Sequence, residues 1–296
     1  MRGAWFDGEQ QCDLRVQQSQ SLASNLESLD TGTGASKTLW HIEESYIRDE
    51  RLFSGPVILS ENMDQLIAGF EPKRFGYDLR ALDIGTGKSL WSRELGGDLG
   101  RIRFGSEPPV TFTDPQGDRV VLGWDANSDD AKVAAKHSAV AQQNMKHSKI
   151  TPRDTVFEVL DGRTGSIVGA AFVPGGSGPQ GYTSAYSAGD WLVVVKDGVR
   201  ITAISLTDGD ERLRLTALIP AVSAKGGLLA VAEEGGRLLV YDLQSASRRN
   251  VFTLPNEVVY SRFSQDGKRL LALTQDQIVY IFDLTSAAAA PSATSP

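Results

Sequence analysis

The sequence predicts an all-β fold made of consecutive four-stranded antiparallel units, and three observations predict it. One turn recurs along the chain, at Leu29-Asp30, Leu82-Asp83, Leu160-Asp161, Ile204-Ser205, Tyr241-Asp242 and Phe282-Asp283. Its first polar side chain can accept backbone amides ahead of it, and a glycine such as Gly87 or Gly165 can supply the positive φ that closes a hairpin. Between copies run short, β-branched, alternating segments punctuated by Gly and Asp. Almost nothing outside residues 126–150 has a helical period. The copies are spaced 53, 78, 44, 37 and 41 residues apart. Four-stranded propeller blades run roughly 40 to 50 residues. The expected fold is therefore a β-propeller with about six blades visible, a single domain over 1–284 with a partly helical insertion at 126–153. Residues 285–296, rich in Ala, Ser and Pro, are expected to be a disordered tail.

In chain order, Gly3–Phe6 reads as a first strand followed by the turn Asp7-Gly8. The stretch Ala81–Trp91 reads as strand, turn and strand, with Asp83 and Gly87 at the turn. Arg119–Asp125 and Asp154–Leu160 are strands on either side of the insertion. Trp191–Val195 with Val199–Ile204, and Leu228–Ala232 with Arg237–Tyr241, form the same pattern. The last unit is the clearest: Val258–Phe263, the turn Ser264-Gln265-Asp266-Gly267, Lys268–Leu273 and Ile278–Phe282. It ends after three strands. N-terminal residues beyond this sequence are expected to supply the fourth strand, with one or two further blades for seven or eight in all; the alternative is a six-bladed propeller with one three-stranded blade.

Phe263-Ser-Gln-Asp-Gly-Lys-Arg-Leu270 followed by Val279-Tyr-Ile-Phe-Asp283 resembles a degenerate WD40 repeat. Ala81-x-Asp83-x-x-Thr86-Gly87-x-x-x-Trp91 resembles the tryptophan-docking motif of quinoprotein-like propellers. Asp30…Trp40 departs from that motif by two extra residues, and the copy at Asp161 and Gly165 has Gly169 in place of the tryptophan. Asp30, Trp40, Asp83, Gly87, Trp91, Asp161, Gly165, Asp242 and Asp283 are accordingly expected to be structural, with the tryptophans packing against the neighbouring blade. These resemblances specify a fold superfamily and not a function.

The 78-residue interval holds the informative departure. Its middle, Asp130–Lys146, is rich in helix formers, with Asn127 or Ser128 as the cap and Val133, His137, Val140 and Asn144 on one face. The insertion carries net +3 while the rest of the chain carries −10. A basic helix projecting from an acidic body suits an acidic partner or a phosphate-bearing surface, whereas a mobile solvated insertion would have no partner. In propellers of the type this chain resembles, the connections between second and third strands share a face with those leading into the next blade. The longer ones here are 71–76, 96–109 and 174–181, all in or next to the second and third blades. A protein or peptide is therefore expected to bind there, through Lys73, Arg74, Phe75, Arg101, Arg103, Phe104, Lys132, Lys136, His137, Lys146 and His147.

Composition narrows the classes. A net charge of −7 argues against nucleic acid, whose phosphates require clustered cations. Cys12 is the sole cysteine, so no internal disulfide forms. His137 and His147 lack the i, i+4 spacing of a helical metal pair, and Asp208-Gly-Asp210 and Asp129-Asp130 do not continue into a calcium-loop pattern. Ile84–Ser89 fails the phosphate-loop spacing and opens a strand. No catalytic residue, metal or cofactor is expected; the quinoprotein dehydrogenases carry an adjacent cysteine pair that this chain lacks. No run approaches a membrane span. A monomer is expected, cytoplasmic on the sequence as given and periplasmic if a segment precedes it. The favoured function is a non-enzymatic binding module. A ligand-sensing or accessory propeller domain of a larger enzyme system, or an incomplete propeller fragment, is the alternative.

Overall fold

The computed structural model describes the backbone of residues 3–7, 12–18, 23–30, 33, 35–43, 50–59, 65–72, 77–83, 86, 88–95, 109–113, 119–223, 227–264 and 266–285. Side chains are described at 33, 35, 79–83, 86, 88–93, 109–112 and in the described stretches after 118. Contacts group the chain into two compact units, 1–179 and 180–296.

The first unit holds three sheets. One is β1 (Gly3–Asp7), β2 (Cys12–Gln18), β3 (Ala23–Asp30) and β4 (Ser36–Glu43). The second is β5 (Glu50–Leu59), β6 (Gln65–Pro72), β7 (Tyr77–Asp83) and β8 (Ser89–Leu95). The third is β9 (Val110–Thr113), β10 (Arg119–Asp125), β11 (Thr155–Asp161) and β12 (Ile167–Val173), with α1 (Asp129–Ala135) and α2 (Ala139–His147) between β10 and β11. The second unit continues with β13 (Tyr182–Ala188), β14 (Trp191–Lys196), β15 (Arg200–Ser205) and β16 (Glu211–Thr216). Next come β17 (Leu218–Val222), β18 (Leu228–Glu233), β19 (Arg237–Asp242) and β20 (Ser247–Thr253). Last are β21 (Val258–Phe263), β22 (Arg269–Thr274) and β23 (Val279–Asp283). Among the described residues five sheets have four strands and the sixth has three, every one an antiparallel meander in chain order.

Within each unit the first strand of one sheet lies beside the first strand of the next, β13 by β17 and β17 by β21, β1 by β5 and β5 by β9. The faces then stack. Leu229, Val231 and Leu239 of the fifth sheet meet Val193, Val195 and Ile201 of the fourth. Leu228, Ala230, Leu238 and Val240, on its opposite face, meet Phe263, Leu270 and Ala272 of the sixth. The alternation of side chains along a strand thus supplies two cores at once, which is why these strands are apolar almost throughout. Consecutive meander sheets packed face to face about their innermost strands are the blades of a β-propeller.

The repeated turn closes the outer hairpin of the five four-stranded sheets and follows the last described strand of the sixth. Asp83 Oδ1 accepts from the amide and hydroxyl of Thr86, at 2.7 and 2.6 Å. Asp161 Oδ1 does the same with Thr164, at 2.9 and 2.8 Å, and Asp242 Oδ1 with Ser245, at 2.8 and 2.9 Å. Asp283 holds Thr285 likewise, at 2.8 and 2.5 Å. A short acceptor here ties down the donors of the turn that follows. The fifth position takes positive φ: Gly165 at 70°, Gly209 at 73° and Ala246 at 52°. Gly87, the same position in the second sheet, lies outside the described residues.

A β-bulge precedes the first five copies, at Leu26/Glu27, Ala81/Leu82, Val159/Leu160, Ala203/Ile204 and Val240/Tyr241. Opposite the residue before the bulge stand Trp40, Trp91, Gly169, Leu213 and Asn250 respectively, so these five positions are structurally equivalent. In the first sheet the bulge sits two residues further from the turn, which accounts for the two extra residues between Asp30 and Trp40. Trp91 packs as expected: its indole N–H donates to the Gly162 carbonyl, 2.9 Å away, in the turn of the next sheet. Beneath that contact, Arg93 pairs with Glu158 at 2.5 Å, joining the second and third sheets where Glu158 is fully buried.

Candidate binding surface on the third sheet

The connection between the second and third strands of the later sheets is short. Asp197, Gly198 and Val199 turn β14 into β15, the first two at positive φ, which suits the right-handed twist of a hairpin. The third sheet puts 126–154 at that place. The pairing of β10 with β11 is unbroken, from Asp125↔Thr155 to Arg119↔Asp161.

The local sequence explains how this insertion folds. Asp125 Oδ1 accepts from the Asn127 amide at 2.9 Å, and the Ser128 hydroxyl donates to the Asp125 carbonyl at 2.7 Å. Ser128 then caps α1, its oxygen accepting from the Ala131 amide at 3.0 Å. Asp129 and Asp130 occupy the first turn, where the helix dipole favours negative charge. Burial, and next the neighbouring Asp129, raise the Asp130 carboxyl above its ordinary value.

The expected continuous helix over 130–146 is instead two. Ser138 adopts an extended conformation and caps α2, accepting from the Ala141 amide at 3.2 Å. A serine that can satisfy a free amide two or three residues on competes with helix continuation. The expected apolar face of Val133, His137, Val140 and Asn144 is also corrected. The buried side chains are Ala131, Ala134 and Ala135 of α1 and Ala141 and Met145 of α2, while Val133, Val140 and Asn144 are half-exposed and His137 is exposed. These alanines lie in one core with Trp124, Val156 and Phe172. α1 rests on β10, β11 and β12, and α2 on β12. The insertion is therefore seated on its own sheet rather than projecting from it. Alanine allows a helix to approach a sheet closely, so small side chains can form an effective buried stripe.

The chain returns to the sheet through a turn held by Asp154, which is 4% exposed. Its Oδ2 accepts from the Thr151 amide at 2.6 Å and hydroxyl at 3.1 Å, and its Oδ1 accepts from the Gly175 amide at 2.7 Å. Burial by itself would raise this carboxyl; the Gly175 amide and the two Thr151 donors outweigh it and hold the pKa below the ordinary carboxylate value. The Gly178 amide donates to the Arg153 carbonyl at 3.1 Å. One buried carboxylate thus fixes the end of the insertion against the segment that follows β12, and the two connections do share an edge of the sheet.

Of the residues expected to bind a partner, Lys132, Lys136, His137, Lys146 and His147 are all exposed on the insertion. Lys132 is paired with Asp129 at 2.7 Å. Lys73, Arg74, Phe75, Arg101, Arg103 and Phe104 lie outside the described residues. Lys149 and Arg153, which the sequence counts in the insertion's net +3, are not among the residues expected to bind, and Asp154 was missed as an anchor; Thr151-Pro152 ahead of Asp154 is the signal of a turn there. Among the described residues no three His, Cys, Asp or Glu side chains are placed to share a metal ion. No helix among them is long and apolar enough to cross a membrane.

No family model matches the chain, and no curated protein is matched by it. Among solved structures it is similar to BamB from Moraxella catarrhalis, at 15% identity over 95% of this chain and 72% of that one, with a TM-score of 0.44. It is similar to the computationally designed Ika8 protein, at 14% identity over 95% and 70%, with a TM-score of 0.48. A third likeness is to the β-propeller domain of Cps50 (Swd1) from Myceliophteria thermophila, at 14% identity over 93% and 80%, with a TM-score of 0.47. These are likenesses of chain path only.

Proposed function

We propose that this chain is a non-enzymatic binding module, a single β-propeller domain that takes a protein or peptide partner on the connections of its second and third sheets. One observation carries the reading. The longest departure from the repeat is folded onto the third sheet through alanines and Met145, turns its lysines outward, and is fixed by Asp154 to the segment after β12. A seated platform loses little conformational freedom on binding, which favours affinity for a given contact area. Arg101, Arg103, Phe104 and Lys73–Phe75, outside the described residues, belong to this reading on sequence grounds alone.

Deleting the insertion is a poor test, because it would uncover Trp124, Val156 and Phe172. Charge reversal on its outer side is cleaner. The full chain carrying Lys132→Glu and Lys136→Glu, and a second variant with Arg101, Arg103 and Phe104 changed to Ala, would be compared with the unaltered chain in affinity capture from source-cell lysate. Loss of the same captured protein from either variant, with thermal stability unchanged, is expected. Equal capture by all three would overturn the reading.

A further inference from the structure

The insertion is not evenly charged. Its carboxylates, Asp129 and Asp130, sit at the first turn of α1, where Asp129 already holds Lys132. The other end carries Lys146 in the last turn of α2, Lys149 just beyond it, and Arg153 in the turn before β11. All three are exposed, and none makes an ion pair among the described residues. No carboxylate occurs in 146–153, and the one that follows, Asp154, is buried with both oxygens occupied.

The backbone under these cations is held. Asp154 grips Thr151 on one side and Gly175 on the other, the Gly178 amide binds the Arg153 carbonyl, and Met145 and Ile150 are packed into the sheet's core. The result is a stretch of eight residues, 146–153, with three exposed cations that make no ion pair among the described residues, on held backbone, in a chain that is acidic elsewhere. Resting on the proposed function above, we propose that this cationic stretch is the recognition element and that its partner is an acidic peptide segment rich in Glu or Asp. Charge complementarity argues for it: exposed positive groups close together in the chain, with no carboxylate among them, gain from a partner rich in carboxylates and steer its approach. A lipid surface fits less well. Surface-seeking helices offer large apolar side chains beside their cations, whereas α2 buries Met145 and Ala141 and offers outward only Ala139 and the half-exposed Val140.

The test uses the full chain, a fluorescein-labelled peptide of alternating Glu and Ser, and vesicles of phosphatidylserine and phosphatidylcholine. Peptide binding is expected by fluorescence anisotropy, weakening roughly tenfold or more as salt rises from about 0.05 to about 0.5 M, because exposed charges are screened. Lys149→Glu with Arg153→Glu should abolish it. Arg248→Glu with Lys268→Glu, the same charge change elsewhere, should leave most of it. Asp154→Asn should weaken it severalfold with every cation in place. No peptide binding, equal loss in both double variants, or binding to vesicles alone would each overturn the proposal. If the acidic peptide fails while lysate capture still depends on Lys132 and Lys136, the binding-module reading stands and only the assignment of its partner falls.

Discussion

The Trp91 indole is held at two points by the turn of the next sheet. Its N–H reaches the Gly162 carbonyl at 2.9 Å, and its ring lies so close over Gly165 that a Cβ there would come within 2.7 Å of it. The glycine is required twice over, by its φ of 70° and by the ring above it. Gly165→Ala should cost more than the roughly 1–2 kcal/mol of a left-handed alanine. Trp91→Ala should cost about 2–3 kcal/mol, less than a fully buried aromatic. In a double-mutant cycle by urea denaturation the two losses should not add, since removing the ring relieves the clash. Additive losses would mean that the ring and the turn are independent.

Ala246 sits where Gly165 and Gly209 sit, at a φ of 52°. Ala246→Gly should raise stability by about 1 kcal/mol, because glycine adopts that conformation freely. A shift of the urea midpoint to lower concentration would contradict it.

Arg93 and Glu158 form the one described ion pair with a fully buried member, and Arg93 Nη1 and Glu158 Oε2 have no hydrogen-bond partner among the described residues. Arg93→Ala strands a buried carboxylate and should cost about 3 kcal/mol. Arg93→Met with Glu158→Met should cost far less, since neither charge then needs solvation. Chemical denaturation of the three variants ranks them, and a double variant as unstable as Arg93→Ala would refute this account.

Acid should loosen the third sheet. The Asp154 pKa is held down, so its contribution is fully present above the ordinary carboxylate value of about 3.9 and is lost as pH falls through the depressed folded value. Asp242, lowered chiefly by the Ser245 amide, and Asp283, lowered chiefly by the Thr285 hydroxyl, act in the same direction. Asp130 acts in the opposite one: its raised pKa favours the folded state at low pH and penalises it as pH rises. Asp154→Asn should lower the melting temperature at pH 7, and the gap to the unaltered chain should narrow by pH 3. A constant gap across that range would place the effect of Asp154 in packing rather than charge.

Most strands were legible in the sequence because their grammar is local. An Asp three residues before Thr or Ser, with glycine next, is enough to fold a turn without help from the rest of the chain. The break at Ser138 was harder to see, since Lys136-His137-Ser138 lies within a run of good helix formers, although Ser followed by Ala139 is a helix start in its own right. The buried face was misjudged because alanine was given little weight beside valine. Asp154 was read only as the first residue of a strand; what it grips, Gly175, is twenty-one positions away, and no local pattern announces that.

The unbroken register of β10 and β11 has a kinetic meaning. Three residues turn β14 into β15, whereas β10 must find β11 across a far longer stretch. Closing such a loop costs roughly 0.6 kcal/mol per doubling of its length, so about 2 kcal/mol more than the tight hairpin. Seating α1 and α2 on the sheet offsets that cost, but only after the strands have met. The third sheet should therefore be the last of the first unit's described elements to gain protection from hydrogen exchange during refolding, with β10, β11 and both helices becoming protected together.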